Sequence, residues 1–233
     1  MTSPRIVLLG GHGESTRIVF HALERRFGEI TAILEDPVRR KDIMRRRVRR
    51  IGVTRVAGQA LYRVLVHPTL ARRGRSRVAE ILSTHQLDNS PIPEARVVRV
   101  PTVNAPEACT RLRELDPAVV VVNGTRILKP ETLATVSAPF VNTHAGITPS
   151  YRGVAGGWWA LAEGRPDLAG TTVHLVDKGI DTGPPLKQAV FQVTEKDNGS
   201  TYNYLHLAVG VPILIEAVEE LLRGERRPRL VAS

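Results

Sequence analysis

The sequence predicts an α/β fold in which a mostly parallel sheet is flanked by helices. Residues 6–9, which follow Arg5 in the first predicted strand, and residues 118–122 are short and continuously apolar, as strands buried on both faces of a parallel sheet usually are. A glycine-containing turn follows each run, and helical patterns separate the runs, which is typical of βα units. With 233 residues and 42% hydrophobic content, the chain can bury one sizeable core, so we expect a single domain over residues 1–233.

The elements follow one another as βα units up to residue 141 and then as an antiparallel tail. The predicted strands are residues 5–9, 30–34, 97–100, 118–122, 140–141, 171–177 and 186–193. The predicted helices are residues 16–27, 105–115, a short helix from 128, 156–163 and 200–223.

The segment between residues 38 and 92 interrupts this alternation of strands and helices and carries the basic charge of the chain. Residues 39–77 hold 14 of the 33 lysines and arginines but a single acid, Asp42, which gives a net charge of +13. The remainder holds 19 basic and 22 acidic residues, a net charge of −3. The basicity therefore belongs to a helical insertion, residues 38–92, and not to the rest of the chain.

A stripe of apolar residues recurs at helical spacing in this insertion and predicts an amphipathic helix. The stripe consists of Val53, Val56, Ala57, Ala60, Leu61, Val64 and Leu65. Two fates stay open: the stripe packs on the domain or on a second subunit of a homodimer, or residues 45–66 dock on an anionic membrane surface. Sequence-specific nucleic-acid binding is not expected, because no aromatic residues alternate with the arginines.

The composition excludes several classes of site. The single cysteine, Cys109, cannot form an internal disulfide or a multi-cysteine zinc site, and the spacing of the histidines predicts no metal. No apolar run reaches the roughly 18–20 residues of a membrane span, and no secretory pattern opens the chain. We therefore expect a cytoplasmic protein.

The glycine-rich loop after the first strand is a candidate anion-binding site. Gly11, Gly13 and Ser15 precede a helix, where free backbone N–H groups can bind an anion. The dinucleotide fingerprint fails, because Thr16 stands where a third glycine is needed. Glu14 would repel a phosphate, so a tight turn without a ligand stays open as the alternative.

Two polar motifs follow predicted strands and carry the residue types of an acyl-transfer site. Asn142 and His144 come directly after an apolar run that ends at Val141, and Asp181 lies in a Gly/Pro-rich loop after the next strand. Ligands of α/β sheets bind at the carboxyl ends of strands. Together, an amide, an imidazole and a carboxylate could polarise a carbonyl, carry a proton and orient the proton carrier.

These motifs resemble the signature of the formyltransferases that use 10-formyl-tetrahydrofolate. That signature is an Asn, a His two places on, a Pro five places further and an Arg-Gly beyond. The corresponding residues here are Asn142, His144, Pro149, Arg152 and Gly153. The segments VVVNGTRILKPETL and TTVHLVDKGIDTGPPL also resemble segments of the family, and the second contains Asp181. The resemblance is good over roughly residues 95–222 and absent over 38–92.

The resemblance implies a Rossmann-like formyltransferase fold and 10-formyl-tetrahydrofolate as the formyl donor. It implies that Asn142 polarises the carbonyl, that His144 acts as the acid, and that Asp181 organises both and accepts a proton. The residues that it implies for donor binding are Arg126, Ile127, Leu128, Val176, Asp177, Gly179 and Ile180. Those expected to bind the acceptor are Gly11, Gly13, Ser15, Thr148, Tyr151, Arg152 and Gly153.

We expect the acceptor to be a small-molecule primary amine, an amino sugar linked to a nucleotide or a lipid, because stand-alone relatives with a similar loop often formylate such sugars. One alternative is glycinamide ribonucleotide formyltransferase, which Glu14 and the insertion oppose. The other is a membrane- or nucleic-acid-associating module on a degenerate enzyme fold, which the intact catalytic residues oppose. His174 is expected to have a structural or substrate-edge role. Of Trp158 and Trp159, one is expected to pack in the core and the other to face a sugar or base.

Overall fold

The computed structural model of the chain describes residues 5–38 and 40–231, and a single sheet forms its centre. The strands are β1 (Ile6–Gly10), β2 (Thr31–Glu35), β3 (Val97–Val100), β4 (Val119–Asn123), β5 (Phe140–His144), β6 (Gly170–Leu175) and β7 (Pro185–Val190). Their order in the sheet is β3-β2-β1-β4-β5-β6-β7. Strands β1 to β5 run parallel, and β6 and β7 are antiparallel to their neighbours. The predicted mostly parallel sheet is therefore confirmed.

The middle of the sheet is formed by β1 and β4, which are buried along their whole length. Their continuous apolar sequences suit this position, because helices cover both faces of a parallel sheet. From β1 the chain proceeds to β2 on one side, and from β4 it proceeds to β5 on the other. The strand order thus reverses between β1 and β4, and open α/β sheets bind ligands in the crevice at such a point.

Helices cover both faces of this sheet. They are α1 (Glu14–Phe27), α2 (Arg40–Ile51), α3 (Val53–Leu61), α4 (His67–Thr84), α5 (Pro106–Leu115), α6 (Pro130–Leu133), α7 (Gly156–Ala162) and α8 (Tyr202–Leu222). One core cluster includes Phe20 of α1 and Leu214 of α8. A second includes Ala108 and Leu112 of α5, on the opposite face. None of the helices in the described ranges is both long and apolar enough to cross a membrane.

The insertion forms α2, α3 and α4 between β2 and β3, and a π-helical turn, Tyr62–Val66, joins α3 to α4. The expected helix is present, but its apolar stripe does not pack on the core. Only Val56 of the stripe is buried, whereas Val53 and Val64 are 67% and 69% exposed. The insertion packs on the body through α4, where Gly74 is buried beside the residues that begin α8.

His206 on α8 is buried in a neutral form against β6. Its Nδ1 lies 3.0 Å from the Thr171 hydroxyl, and its ring packs edge-on against Phe191 at 4.7 Å between centroids. Burial, followed by the charge of His144, lowers the pKa of His206 from 6.5 to about 4. As the pH falls, the unfolded chain therefore takes up this proton before the folded chain does.

The free energy of unfolding should consequently fall as the pH drops from about 6.5 to about 4, because protonation of His206 favours the unfolded chain in this window. His206→Gln should remove roughly 3 kcal/mol or less of that decrease. Urea unfolding at pH 7 and pH 4.5 measures it. His85→Gln, which changes an exposed histidine, is the control. An equal pH dependence in wild type and His206→Gln would contradict the assignment.

Candidate active site

A cavity of 410 Å³ opens at the carboxyl ends of β4 and β5, which is a volume typical of small-molecule sites. The loops that follow β4, β5 and β6 line it. A second cavity, of 270 Å³, lies between the loop after β1 and the end of β2, and it shares Gly124, Thr125 and Arg126 with the first. Within residues 5–38 and 40–231, no three His, Cys, Asp or Glu side chains are grouped so that they could hold a metal ion.

Asn142 and His144 line the larger cavity from β5. Side chains alternate along a strand, so these two share one face of the sheet, while the Thr143 side chain lies towards Gly210 of α8 on the other. The buried His144 ring has its Nε2 2.8 Å from the Tyr151 carbonyl oxygen, to which it can donate. This contact turns the other ring nitrogen, Nδ1, towards Asp181.

Asp181 comes from the loop after β6, and its backbone is left-handed with φ 53°. Its Oδ2 lies 3.3 Å from Nδ1 of His144 and accepts a hydrogen bond from the Gly153 N–H at 3.2 Å. Its Oδ1 lies 3.6 Å from Nε2 of His174. One carboxylate therefore connects β5, the loop after β5, and β6.

The pKa of the Asp181 carboxyl lies below its ordinary value even though its burial opposes ionisation. Burial raises this pKa, but the contact with His174, the charge of His144 and the Gly153 N–H together lower it by more. Asp181 is therefore an anion at neutral pH, in a position to orient the His144 imidazole.

His174 stands directly opposite Asn142 in the antiparallel pair of β5 and β6. Its Nδ1 lies 2.8 Å from the Leu175 carbonyl oxygen, and its Nε2 lies 3.2 Å from Nδ2 of Asn142. The position of the proton decides which partner Nε2 serves: without a proton it accepts from the Asn142 amide, and with one it donates to Asp181. This position supports the expected structural role. No sequence motif predicts the contact with Asn142, because it depends on the strand register.

All seven residues expected to bind the donor line the larger cavity. They form two opposite walls, residues 126–128 and residues 176–180. Ile127 and Ile180 are large apolar side chains that remain exposed on these walls. The cavity thus has apolar faces suited to a flat ring system.

Part of the polar backbone on the first wall is already engaged within the chain. The Arg126 N–H donates to Glu35 at 2.6 Å, and the Ile127 carbonyl accepts from Asn104 at 3.0 Å. Among the described residues, the N–H groups of Ile127 and Leu128 have no hydrogen-bond partner and are free to bind a ligand. Among the N–H groups of this wall, these two are therefore the ones that can donate to a ligand.

Three of the residues expected to bind the acceptor line a cavity. Gly153 lines the larger one, and Gly11 and Gly13 line the second. The second cavity also contains Glu35 and Asp36. Arg126 of the same cavity pairs with Glu35 at 2.9 Å, so an anionic ligand would meet the Asp36 carboxylate beside the glycine-rich loop.

The other four expected acceptor residues lie outside both linings. The Ser15 hydroxyl donates to the Asn123 side chain at 3.0 Å, and Thr148 is buried with its backbone bonded inside the fold. Tyr151 acts on the site through the carbonyl that contacts His144, and Arg152 is exposed. Ser15 and Thr148 thus hold loops in place outside both linings, and their role in acceptor binding stays a prediction.

Both tryptophans at the start of α7 are about half exposed, so the expectation that one packs in the core is wrong. Their rings meet edge to face at 4.7 Å between centroids. The buried face of α7 is occupied instead by Gly156, Gly157 and Ala160. A side chain at Gly157 would collide with the His206 ring, which explains why only small residues fit there.

Comparison with known proteins gives a match to the family model described as formyl transferase over residues 10–218. The methionyl-tRNA formyltransferase of Thermodesulfovibrio yellowstonii is 35% identical over 121 residues, which cover 51% of this chain and 39% of that protein. The chain spans half the length or less of the other methionyl-tRNA formyltransferases that it matches.

Two solved structures have a similar fold. Glycinamide ribonucleotide transformylase 1 from Symbiobacterium toebii matches with a TM-score of 0.62 at 21% identity, over 99% of this chain and 95% of that one. A sugar N-formyltransferase from Shewanella sp. matches with a TM-score of 0.56 at 15% identity, over 98% and 74% of the two chains. At these identities the likeness shows the fold alone.

Gly146 allows the close approach that positions His144, and a side chain there should disturb the site. A Cβ atom at this position would touch the Tyr151 carbonyl oxygen and lie 2.9 Å from Nε2 of His144. Gly146→Ala should therefore lower the free energy of unfolding by about 1–3 kcal/mol. It should also shift the His144 signals in histidine NMR spectra.

The matched control for this change is Gly58→Ala on α3, where an added Cβ meets nothing within 4 Å. That variant should leave both measurements unaffected or slightly raise the stability, because alanine is the better helix former. Unchanged stability and unchanged His144 signals in Gly146→Ala would contradict the described packing.

Proposed function

The chain belongs to the formyl transferase family, and on that premise we propose that it transfers a formyl group from 10-formyl-tetrahydrofolate to a primary amine. The main support is the meeting of Asn142, His144 and Asp181 at one end of the 410 Å³ cavity. An amide donor, an imidazole and a carboxylate are groups that such a transfer needs. The contact of His144 with Asp181, and the His174 ring that contacts both Asn142 and Asp181, favour an active enzyme over a binding module on a degenerate enzyme fold.

The larger cavity suits the folate donor, which supplies a formyl group activated for transfer to an amine. The apolar walls that carry Ile127 and Ile180 can hold a flat bicyclic ring between them. The free N–H groups of Ile127 and Leu128 can donate to its polar edge. Residues 126–128 and 176–180 are therefore the proposed donor-binding residues.

Asn142 is proposed to hold the carbonyl oxygen of the formyl group. Its amide nitrogen carries two hydrogens, and when His174 accepts one, the other is available to the cavity. A fixed donor of this kind stabilises the negative charge that develops on a carbonyl oxygen. Its loss typically costs about 2.7–4 kcal/mol of barrier.

His144 and Asp181 are proposed to move the proton that the acceptor amine gives up. The His144 ring is held between the Tyr151 carbonyl and the Asp181 carboxylate, so its position is fixed. The carboxylate is ionised at neutral pH and can attract the amine proton directly or through water. His144 can then supply a proton to the departing nitrogen.

For the acceptor we propose an amino sugar carried by a nucleotide or a lipid. The exposed pair Trp158 and Trp159 lies one helical turn beyond Ala155, which lines the cavity, and offers aromatic surface to a sugar ring or base. Glycinamide ribonucleotide is disfavoured, because the Asp36 carboxylate lines the cavity beside the glycine-rich loop, where a phosphate would bind.

A second acceptor class, the amine of an aminoacyl-tRNA, is favoured by the names of the relatives, which are methionyl-tRNA formyltransferases. The net charge of +13 over residues 39–77 would also attract a polyanion. The chain spans 39% of the length of the relative compared above.

The acceptor can be identified by incubating the protein with 10-formyl-tetrahydrofolate and a panel of nucleotide-linked amino sugars, glycinamide ribonucleotide and aminoacylated tRNA. Mass spectrometry then detects the formylated product. We expect an amino sugar to be formylated. Calorimetric binding of a folate analogue without formylation of any panel member would contradict the proposed acceptors, and the absence of folate binding would contradict formyl transfer itself.

Asn142→Ala and His144→Ala should each lower turnover on that acceptor by about a hundredfold or more, because the first removes the carbonyl donor and the second the proton carrier. Circular dichroism should show an unchanged fold. His85→Ala, which removes an exposed histidine on the insertion, is the matched control and should keep wild-type turnover. A folded His144→Ala protein with near-normal turnover would rule out this mechanism.

A further inference from the structure

The helical insertion carries an exposed surface that the proposed reaction does not use. We propose that the basic arm, residues 40–69, docks the protein on an anionic lipid surface. The arm comprises α2, α3, the π-helical turn and the first residues of α4. Four features of the arm support this: its apolar surface, its separation from the body, its unpaired charge, and its charge repulsion from a second copy.

The arm holds half of the large hydrophobic side chains that are exposed in the described chain, eight of sixteen. They are Ile43, Met44, Val53, Leu61, Tyr62, Val64, Leu65 and Val66. Isolated exposed apolar residues are normal on a protein surface, but a concentration in one short segment marks an interaction site. The apolar surface of the arm is therefore available to a partner.

The arm also stands away from the rest of the molecule. Residues 52–69 all belong to the described part of the chain, and Val56 is the only one of them that is buried. The arm first approaches the body at Tyr62, whose hydroxyl lies near Gly199, and is hydrogen-bonded to it at Leu70, whose carbonyl accepts from Ser200 at 3.2 Å. At about 1.5 Å per helical residue, the stretch from Val53 to Leu61 extends roughly 14 Å before the first of these contacts.

The arginines of the arm are exposed and lack compensating charge. Arg45, Arg47, Arg49, Arg55 and Arg63 are exposed, and none of them forms an ion pair with another side chain that the structure describes. Further along the insertion, where α4 meets the body, Arg77 does pair with the buried Asp197 at 3.0 Å. The arm thus presents free positive charge, and the exposed Arg72, Arg73 and Arg75 at the start of α4 continue it, whereas Arg77 is paired.

An anionic bilayer can bind both the arginines and the apolar side chains of the arm at one surface, because its phosphate groups lie directly above its hydrocarbon. Amphipathic helices that carry arginine bind there with the apolar face down, and each basic residue near the surface adds to the attraction. A nucleic acid would match the charge but leave the apolar side chains in water. A second copy of the arm would match the apolar surface, but each arm holds nine lysines and arginines against Asp42 alone, so a charge of +8 would oppose a charge of +8.

The test is co-sedimentation of the full chain with vesicles of phosphatidylglycerol or of phosphatidylcholine, at low salt and at about 0.15 M salt. Wild-type protein should bind the anionic vesicles, more weakly at the higher salt, and should not bind the neutral ones. The apolar variant Val64→Gln with Leu65→Gln should lose about tenfold or more of the bound fraction, because it removes exposed apolar contacts.

The charge variant is Arg45→Gln, Arg47→Gln and Arg49→Gln, which should weaken binding to a similar extent. Its matched control is Arg111→Gln, Arg113→Gln and Arg226→Gln, which removes the same charge from exposed positions outside the arm. The control should bind as wild type does. Equal losses in the two triple variants would mean that net charge alone is responsible, and would overturn the role of the arm.

Three other results would also overturn this inference. They are the absence of binding to anionic vesicles at low salt, binding to unfractionated tRNA without binding to vesicles, and a lipid-free dimer in sedimentation velocity that Val64→Gln with Leu65→Gln converts to a monomer. Folding of each variant is checked by circular dichroism. The vesicle assay contains neither folate nor amine, so its outcome does not depend on formyl transfer.

Discussion

The position of the Asp181 carboxylate is the constraint on which the rest of the candidate active site depends. It reaches His144 at 3.3 Å, His174 at 3.6 Å and the Gly153 N–H at 3.2 Å. These partners belong to β5, β6 and the loop after β5, so a single charge fixes three separate elements. Burying a carboxylate is costly, and these contacts offset the cost, which is why its pKa lies below the ordinary value.

The sheet topology supplies the geometry that this carboxylate needs. Parallel β5 delivers Asn142 and His144 to the edge where ligands bind, and antiparallel β6 sets His174 opposite Asn142. Small residues then permit the loop to approach, since a side chain at Gly146 would collide with the Tyr151 carbonyl that holds His144. The basic arm takes no part in this arrangement. The excess positive charge and the candidate catalytic residues therefore lie in separate parts of the chain.

The sequence was sufficient to predict features that depend on residues close together along the chain. Continuous apolar runs predicted the central strands, and the motif around Asn142 and His144 predicted the residues that meet at the cavity. The sequence could not show hydrogen bonds between distant residues: the Ser15 hydroxyl donates to Asn123, and the Arg126 N–H donates to Glu35. The tryptophans point outward because His206, more than forty residues later, occupies the space beside α7. Helical periodicity likewise predicted the apolar stripe of the insertion, but it could not show which surface the stripe contacts.

The most direct test of the central claim is to measure donor affinity and single-turnover formyl transfer side by side in wild type and Asp181→Asn. This change keeps the shape of the side chain and removes the charge that organises both histidines. The account predicts a folate dissociation constant within about threefold of wild type and a transfer rate lower by about a hundredfold or more. Transfer at nearly the wild-type rate, or a loss explained entirely by weaker folate binding, would contradict it.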